Sequence, residues 1–404
     1  MQTRLAEFIR DTPEGQEAEA ILRSCVHCGF CTAACPTYQL LGDERDGPRG
    51  RIYLLKQVLE GTPASAKTQL HLDRCLTCRS CETACPSGVR YGRLLEIGRG
   101  VVEGQARRPG LDWLQRRLLR AILPYPGRFA ALAGLAGLIR PLLPPGWAKK
   151  IPQAKPATAW PPARHARKML VLEGCVQPSL APSINAAAAR VLDRLGVSLV
   201  HAPQAGCCGA LSYHLAAREE GLDFMRRNID AWTPYLDQGV EAIVMTASGC
   251  GLMVKEYADA LKHDAGYAEK AARVSAKTLD LAEVLAGEDL SKLEVDTGRR
   301  VAFHSPCTLQ HGQQLDGVVE SLLKRLGFAL APVADPHLCC GSAGTYSLLQ
   351  PDLSLRLLGE KLDALQAGQP GCIATANIGC LSHLQTGSSV PVLHWVELLD
   401  SARG

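Results

Sequence analysis

Cys25-Val26-His27-Cys28-Gly29-Phe30-Cys31-Thr32-Ala33-Ala34-Cys35-Pro36 and Cys75-Leu76-Thr77-Cys78-Arg79-Ser80-Cys81-Glu82-Thr83-Ala84-Cys85-Pro86 are two copies of one pattern, C-x2-C-x2-C-x3-C-P. Three thiolates at this spacing can wrap one face of an iron–sulfur cube and reach three of its irons. The fourth iron needs a ligand from elsewhere, and where two such runs occur together the Cys before Pro in each run ligates the other cluster. This assigns Cys25, Cys28, Cys31 and Cys85 to one [4Fe-4S] cluster, and Cys75, Cys78, Cys81 and Cys35 to a second. The exchange ties the runs together and keeps the clusters close, as electron relay requires. Zinc also takes four thiolates, but its motifs present two separated C-x2-C pairs rather than three Cys in one loop with a fourth before Pro.

The second half of the chain carries a different cysteine set, and carries it twice. Cys175, Cys207, Cys208 and Cys250 are answered by Cys307, Cys339, Cys340 and Cys380. The first Cys precedes the adjacent pair by 32 residues in both copies, and the pair precedes the last Cys by 42 and 40. The flanks agree as well: Leu170-Val171-Leu172-Glu173-Gly174-Cys175 matches Ala302-Phe303-His304-Ser305-Pro306-Cys307, Arg194-Leu195-Gly196 matches Arg325-Leu326-Gly327, and Cys-Cys-Gly recurs at 207–209 and 339–341. Such a repeat implies two copies of one α/β unit, with cysteines at the strand ends and helix starts where α/β sheets place ligands. Each set of four thiols is suited to a further iron–sulfur cluster or to zinc. A vicinal disulfide fits less well, because each pair comes with two more Cys at matched distance. His214, His304, His311 and His383 lie near these sites in sequence and are given no role. Of the 17 cysteines only Cys372 is left over, and its apolar neighbours Ile373-Ala374-Thr375-Ala376 mark it as core.

Cysteines used as metal ligands must stay reduced, which points to a reducing compartment. The chain of 404 residues is 47% hydrophobic and 21% charged, an ordinary soluble composition with room for two to three domains. Met1 to Gln16 shows no apolar signal region, and no run of 18 apolar residues offers a spanning helix. The net charge of +4 hides an asymmetry: Arg99 to Lys168 has 14 Lys and Arg against two acids, leaving 30 basic and 38 acidic residues elsewhere. No G-x-G-x-x-G follows a strand and there is no P-loop, so neither a dinucleotide nor a flavin fingerprint is present. One-electron carriers without a two-electron cofactor need a partner that oxidises the substrate.

The elements that must position these cysteines can be sketched. Glu17 to Arg23 leads as a short helix into the first run. Gly47-Pro48-Arg49-Gly50-Arg51 feeds an amphipathic helix through Ile52, Leu54, Leu55, Val58 and Leu59, and Val89 to Val102 forms another. Arg49 and Arg51 can offset cluster charge or simply occupy a solvated helix start. Leu114, Leu118, Leu119 and Ile122 sit at helical spacing among Arg116, Arg117 and Arg120. They are followed by the apolar Phe129 to Ile139 between Arg128 and Arg140. This basic, apolar segment suits a membrane surface, a partner subunit or the protein's own domains. Gln153 to Arg164 reads as a linker. From Lys168 the pattern turns α/β, with strands at Met169–Leu172, Val197–Val200 and Ala242–Thr246 and a helix at Ile184–Leu195. The expected fold class is multidomain α and α/β. A helical two-cluster ferredoxin-like module (1–105) and a basic apolar connector (106–167) precede two Cys-Cys-Gly α/β domains (168–290 and 298–404).

Two C-x2-C-x2-C-x3-C-P runs followed by two Cys-Cys-Gly repeats resemble the heterodisulfide-reductase-type iron–sulfur proteins. The likeness is greatest to the iron–sulfur subunits of bacterial glycolate oxidases. It covers nearly the whole chain and shows in Cys35-Pro36-Thr37-Tyr38-Gln39-Leu40-Leu41-Gly42-Asp43-Glu44, Gly47-Pro48-Arg49-Gly50-Arg51-Ile52-Tyr53, Thr246-Ala247-Ser248-Gly249-Cys250-Gly251 and Thr375-Ala376-Asn377-Ile378-Gly379-Cys380. The resemblance implies an electron-transfer subunit of an oxidoreductase that does not use NAD. Flavin-containing partner subunits would oxidise glycolate to glyoxylate, and this chain, without flavin, nucleic acid or catalytic residues of its own, would pass electrons towards a membrane quinone. It implies a cytoplasmic protein, peripheral on the inner face of the bacterial membrane. The alternatives are a subunit of a related glycerol-3-phosphate or lactate dehydrogenase, a disulfide reductase acting at the Cys-Cys-Gly sites, or a zinc-stabilised scaffold in the second half. The reductases close each Cys-Cys-Gly motif with C-x2-C. Here the first of those positions is Ala247 in one copy and Asn377 in the other, which argues against their non-cubane cluster and disulfide chemistry.

Overall fold

A computed structural model describes residues 1–142 and 159–400. The first six residues of the expected linker, together with part of the basic connector and the last four residues of the chain, fall outside the described residues.

The N-terminal region is helical throughout. Its first long helix, Pro13–Ser24, starts earlier than the sequence pattern indicates because Thr12 caps it, its hydroxyl accepting from the Gly15 N–H at 3.0 Å, and Pro13 occupies the first turn. Helices Pro48–Leu59 and Tyr91–Gln105 pack with it through Leu22, Leu55, Leu59, Leu94 and Leu95, all fully buried. The two cysteine runs hang from this frame as matched loops. His27 and Gly29 in the first, and Thr77 and Arg79 in the second, all take left-handed backbone conformations with φ between 55° and 89°. Three of these four are not glycine, and strain of this kind persists where a surrounding structure or a ligand imposes it. The left-handed turn before each short helix, Phe30–Ala33 and Ser80–Thr83, curls the loop so that its thiols converge.

The second half is two parallel sheets. Strands β1 (Arg167–Val171), β2 (Val197–His201), β3 (Ile243–Met245) and β4 (Thr278–Asp280) form a sheet in the order β2-β1-β3-β4. Strands β5 (Val301–His304), β6 (Cys372–Thr375) and β7 (Val392–His394) repeat the last three places as β5-β6-β7. The β2 place in the second copy shrinks to a single bridge between Val301 and Leu330. The bridge is made by the Val301 N–H donating to Ala329 O at 2.9 Å and the Ala331 N–H donating to Val301 O at 2.8 Å; Pro332 follows, at an edge where its missing N–H is tolerated. Cys372 is fully buried within β6.

Both repeats contribute to one hydrophobic core, which runs from Met169 to Leu399. Across their junction the Ser248 N–H donates to Ala376 O at 3.1 Å and the Ser248 and Thr308 hydroxyls meet at 2.8 Å. The helical region docks on the first repeat mainly through ion pairs. Arg79 meets Glu256, Arg218 meets Glu14 at 2.6 Å, and Arg93 donates to the Tyr213 hydroxyl at 3.0 Å. Against the second repeat it uses an apolar patch of Leu76, Cys339, Tyr346, Leu353 and Leu357.

Helices Gly110–Ile122 and Pro126–Ile139 follow the helical region and bury no residue completely. Among the described residues no single helix is long and apolar enough to cross a membrane. This pair is long and apolar enough only when taken together, and it is bent by 107°.

Candidate metal centres

The four thiols Cys25, Cys28, Cys31 and Cys85 line one cleft of about 430 Å³, with Pro48, Arg49, Ile52 and Tyr91 among its walls. Cys35, Cys75 and Cys78 line a second of about 300 Å³, with Thr37, Arg51 and Tyr91. Cys81 belongs to both linings, so the two clefts share a wall. Cys85 lines the cleft of the first run, and Cys35 the cleft of the second.

Thiols packed this densely resist ionisation without a cation. Burial, then the charge of Cys25, pushes Cys31 up to about 11. Burial, then the neighbouring thiols, pushes Cys78 and Cys81 well above the ordinary value. Cys75 goes the other way: burial opposes ionisation, but the guanidinium groups of Arg51 and Arg99 outweigh it, and the Thr77 N–H and Tyr91 hydroxyl point at its sulfur. Of the two arginines at the helix start, Arg51 is buried against the second cleft. It donates to His71 O at 2.7 Å and to the Thr37 hydroxyl. Arg49 stays half-exposed at the rim of the first cleft, paired with Glu44 at 2.6 Å. Thr37 Oγ1 in turn lies 3.3 Å from Cys35 Sγ. A set of thiols that a metal would ionise, with buried cations and hydroxyl donors against them, fits a pair of anionic iron–sulfur clusters.

Each Cys-Cys-Gly repeat also gathers its four cysteines. In the first, Cys175 is within hydrogen-bond reach of Cys207, and Cys208 of both Cys207 and Cys250. In the second, Cys307 Sγ is 4.0 Å from Cys339 Sγ, and Cys340 contacts Cys339 and Cys380. Cys175 and Cys307 follow β1 and β5, while Cys250 and Cys380 sit in the first turns of Ser248–Lys255 and Ile378–Gln385 after β3 and β6. All four therefore lie at the carboxyl ends of parallel strands.

The second repeat's site abuts the helical region. Cys78 and Cys307 are close enough for each charge to oppose the other, and Cys78 likewise raises Cys339. A cleft of about 800 Å³ opens beside Cys339, bounded by Leu40, Asp335, Glu360 and Lys361. Lys361, buried, donates to Asp335 O at 2.9 Å and faces Cys339 and Cys340. Neither this contact nor Lys361 is readable from the sequence.

The nearby histidines separate into two groups. His214 lies beside Glu96, His311 meets Thr83 and His337 O, and His383 meets the Ser354 hydroxyl. His304 is different. It sits at the end of β5 within reach of Cys340 and Cys380. Burial holds its pKa down to about 3, so the imidazole is neutral. The signal for it was in the repeat itself, where the alignment sets His304 against Leu172.

Residues 21–89 match a 4Fe-4S dicluster domain, and residues 169–255 and 301–385 each match a cysteine-rich domain. The chain is 56% identical to the glycolate oxidase iron–sulfur subunit of Escherichia coli (strain K12), covering 100% of this chain and 99% of that protein. It is 29% identical to a probable glycolate oxidase iron–sulfur subunit of Bacillus subtilis (strain 168), over 98% of this chain and 96% of the relative. Lactate utilization protein A of an Exiguobacterium strain is 25% identical and matches 56% of this chain.

Proposed function

The chain belongs to the family of glycolate oxidase iron–sulfur subunits, and on that premise we propose that it carries electrons from flavin-containing subunits oxidising glycolate to glyoxylate towards a membrane quinone. It is an iron–sulfur electron-transfer subunit of an oxidoreductase. In the proposed reading Cys25, Cys28, Cys31 and Cys85 hold one [4Fe-4S] cluster and Cys75, Cys78, Cys81 and Cys35 the other. Cys175, Cys207, Cys208 and Cys250, and Cys307, Cys339, Cys340 and Cys380, hold further metal. The clusters supply one-electron storage. The protein supplies their spacing and the positive charge of Arg51 and Arg99 beside Cys75. The chain divides for these tasks as 1–105, 106–167, 168–290 and 298–404.

The observation that carries this reading is contiguity. Two cysteine-lined clefts share Cys81, and Cys78 in the second borders Cys307 and Cys339 of the second repeat. A path through the protein therefore needs no moving part. The exposed basic helix pair at Gly110–Ile139 supports a seat on the inner face of the membrane, since an apolar surface edged by Arg117, Arg120 and Arg128 suits an anionic interface.

Glycolate-dependent dye reduction by the complex and by the isolated chain tests the function. The complex should turn over and the chain alone should not, while its clusters still accept electrons from a chemical reductant. Turnover of glycolate by the isolated chain would overturn the reading, and a complex that prefers lactate or glycerol 3-phosphate would remove glycolate from it.

A further inference from the structure

The two Cys-Cys-Gly sites carry the same four thiols in different surroundings. Aligning Cys175 with Cys307 sets Leu172 in the place of His304. Leu172 is buried in the apolar core of the first repeat. His304 is 2% exposed, and one of its ring nitrogens and the Sγ atoms of Cys340 and Cys380 all lie within 4.8 Å of one another. Its Nδ1 is 3.0 Å from the Thr375 hydroxyl, and its Nε2 has no hydrogen-bond partner. A buried polar atom left unmatched costs about 1–3 kcal/mol. A proton on Nδ1, donated to Thr375, leaves the Nε2 lone pair free, and fixing one ring nitrogen by a hydrogen bond is how proteins orient a metal-ligating imidazole.

We propose that His304 is a metal ligand of the second Cys-Cys-Gly site, so that the two repeats hold chemically different centres. The first, around Cys175, Cys207, Cys208 and Cys250, is thiolate-only. The second is a mixed thiolate–imidazole centre that includes Cys340, Cys380 and His304. This rests on the reading that the second repeat binds metal at all. Its consequence is directional. Imidazole is neutral where thiolate is anionic, and exchanging one for the other on iron raises the reduction potential. With iron in both sites, the second repeat, which borders Cys78, is the better electron acceptor of the two.

The test compares the full-length chain, purified anaerobically, with four variants: His304→Leu, which copies the first repeat, His304→Cys, Thr375→Val and Cys340→Ser. Iron, zinc and acid-labile sulfide are counted per chain. Cys340→Ser reports how much metal the second site holds. His304→Leu should lose that same metal, with the rest of the complement unchanged. His304→Cys, which restores a ligand but not the hydrogen bond, should regain most of it, and Thr375→Val should keep it. Full metal in His304→Leu alongside a loss in Cys340→Ser would overturn the ligand and leave the second site standing. Loss in Thr375→Val equal to that in His304→Leu, without rescue by cysteine, would reduce His304 to a buried hydrogen-bonding group and overturn it too. No loss in Cys340→Ser would remove the metal from the second repeat and the proposal with it.

Discussion

Arg51 is a full positive charge at 1% exposure, packed between Asp46, Thr37 and the cleft that contains Cys75. Isolated, it would be costly to bury; here Asp46 and the ionisable thiols repay its desolvation. Its guanidinium stabilises negative charge at Cys75, and a reduced cluster is one charge more negative than an oxidised one. Arg51→Met should therefore lower the reduction potential of the cluster held by Cys35, Cys75, Cys78 and Cys81 and leave the other nearly unchanged. Removing one partner of a buried pair should also destabilise the helical region by about 3 kcal/mol. Redox titration followed by paramagnetic resonance checks the first and thermal unfolding the second. Equal shifts at both clusters would contradict the placement of Arg51. The type and spacing of the cysteines were legible in the sequence because ligand spacing within a loop is local. Arg51 was legible only as a choice between two roles, since burial depends on helices that arrive later in the chain.

The helix starting after β4 has a buried acidic cap. Asp280 accepts from the Ala282 N–H at 2.9 Å, and burial pushes its carboxyl from 3.8 up to about 7. Below pH 4 the native and unfolded chains both carry the proton. Between pH 4 and 7 only the native state keeps it, so unfolding releases a proton and stability falls as pH rises, by roughly 4 kcal/mol across the window. Above pH 7 the slope ends. Asp280→Asn keeps a capping oxygen, and Gln313, whose Oε1 is unpartnered, can turn to accept from the new amide. The variant should unfold with a flatter pH profile and match or exceed the wild type at pH 8; parallel profiles would contradict this. The exposed helix pair makes a separate prediction. Leu111 and Leu138 are 80% and 77% exposed and Leu118 and Leu135 stand beside them. Leu118→Gln with Leu135→Gln should weaken binding to anionic lipid vesicles by about tenfold, read by co-sedimentation. Unchanged binding would leave this surface to a partner subunit. The helices around the cluster loops and the strands β1, β2 and β3 were legible, because hydrophobic period is local, whereas β4 to β7 and the helices Arg218–Asp237 and Pro351–Gln366 were not placed. The shortening of the β2 counterpart to one bridge was not legible, because the extent of edge pairing depends on the tertiary setting rather than on the local pattern.

At the scale of the molecule, the sequence pattern indicates two cluster loops and two α/β repeats but says nothing of how they meet. Cys78 and Cys307 are separated by more than two hundred residues, and the docking of Leu76 against Tyr346, with Thr83 on His311, brings them together. That contact sets the second repeat's cysteines beside the two cluster loops. The measurement that bears most directly on the account is a count of iron, acid-labile sulfide and zinc per chain in anaerobically purified protein. Two cubanes in the helical region require at least about eight irons with matching sulfide, and metal in the Cys-Cys-Gly half adds to that. A chain with zinc in place of iron and no labile sulfide would contradict the account at its centre, because a redox-inert ion can hold these loops together but cannot carry an electron between them.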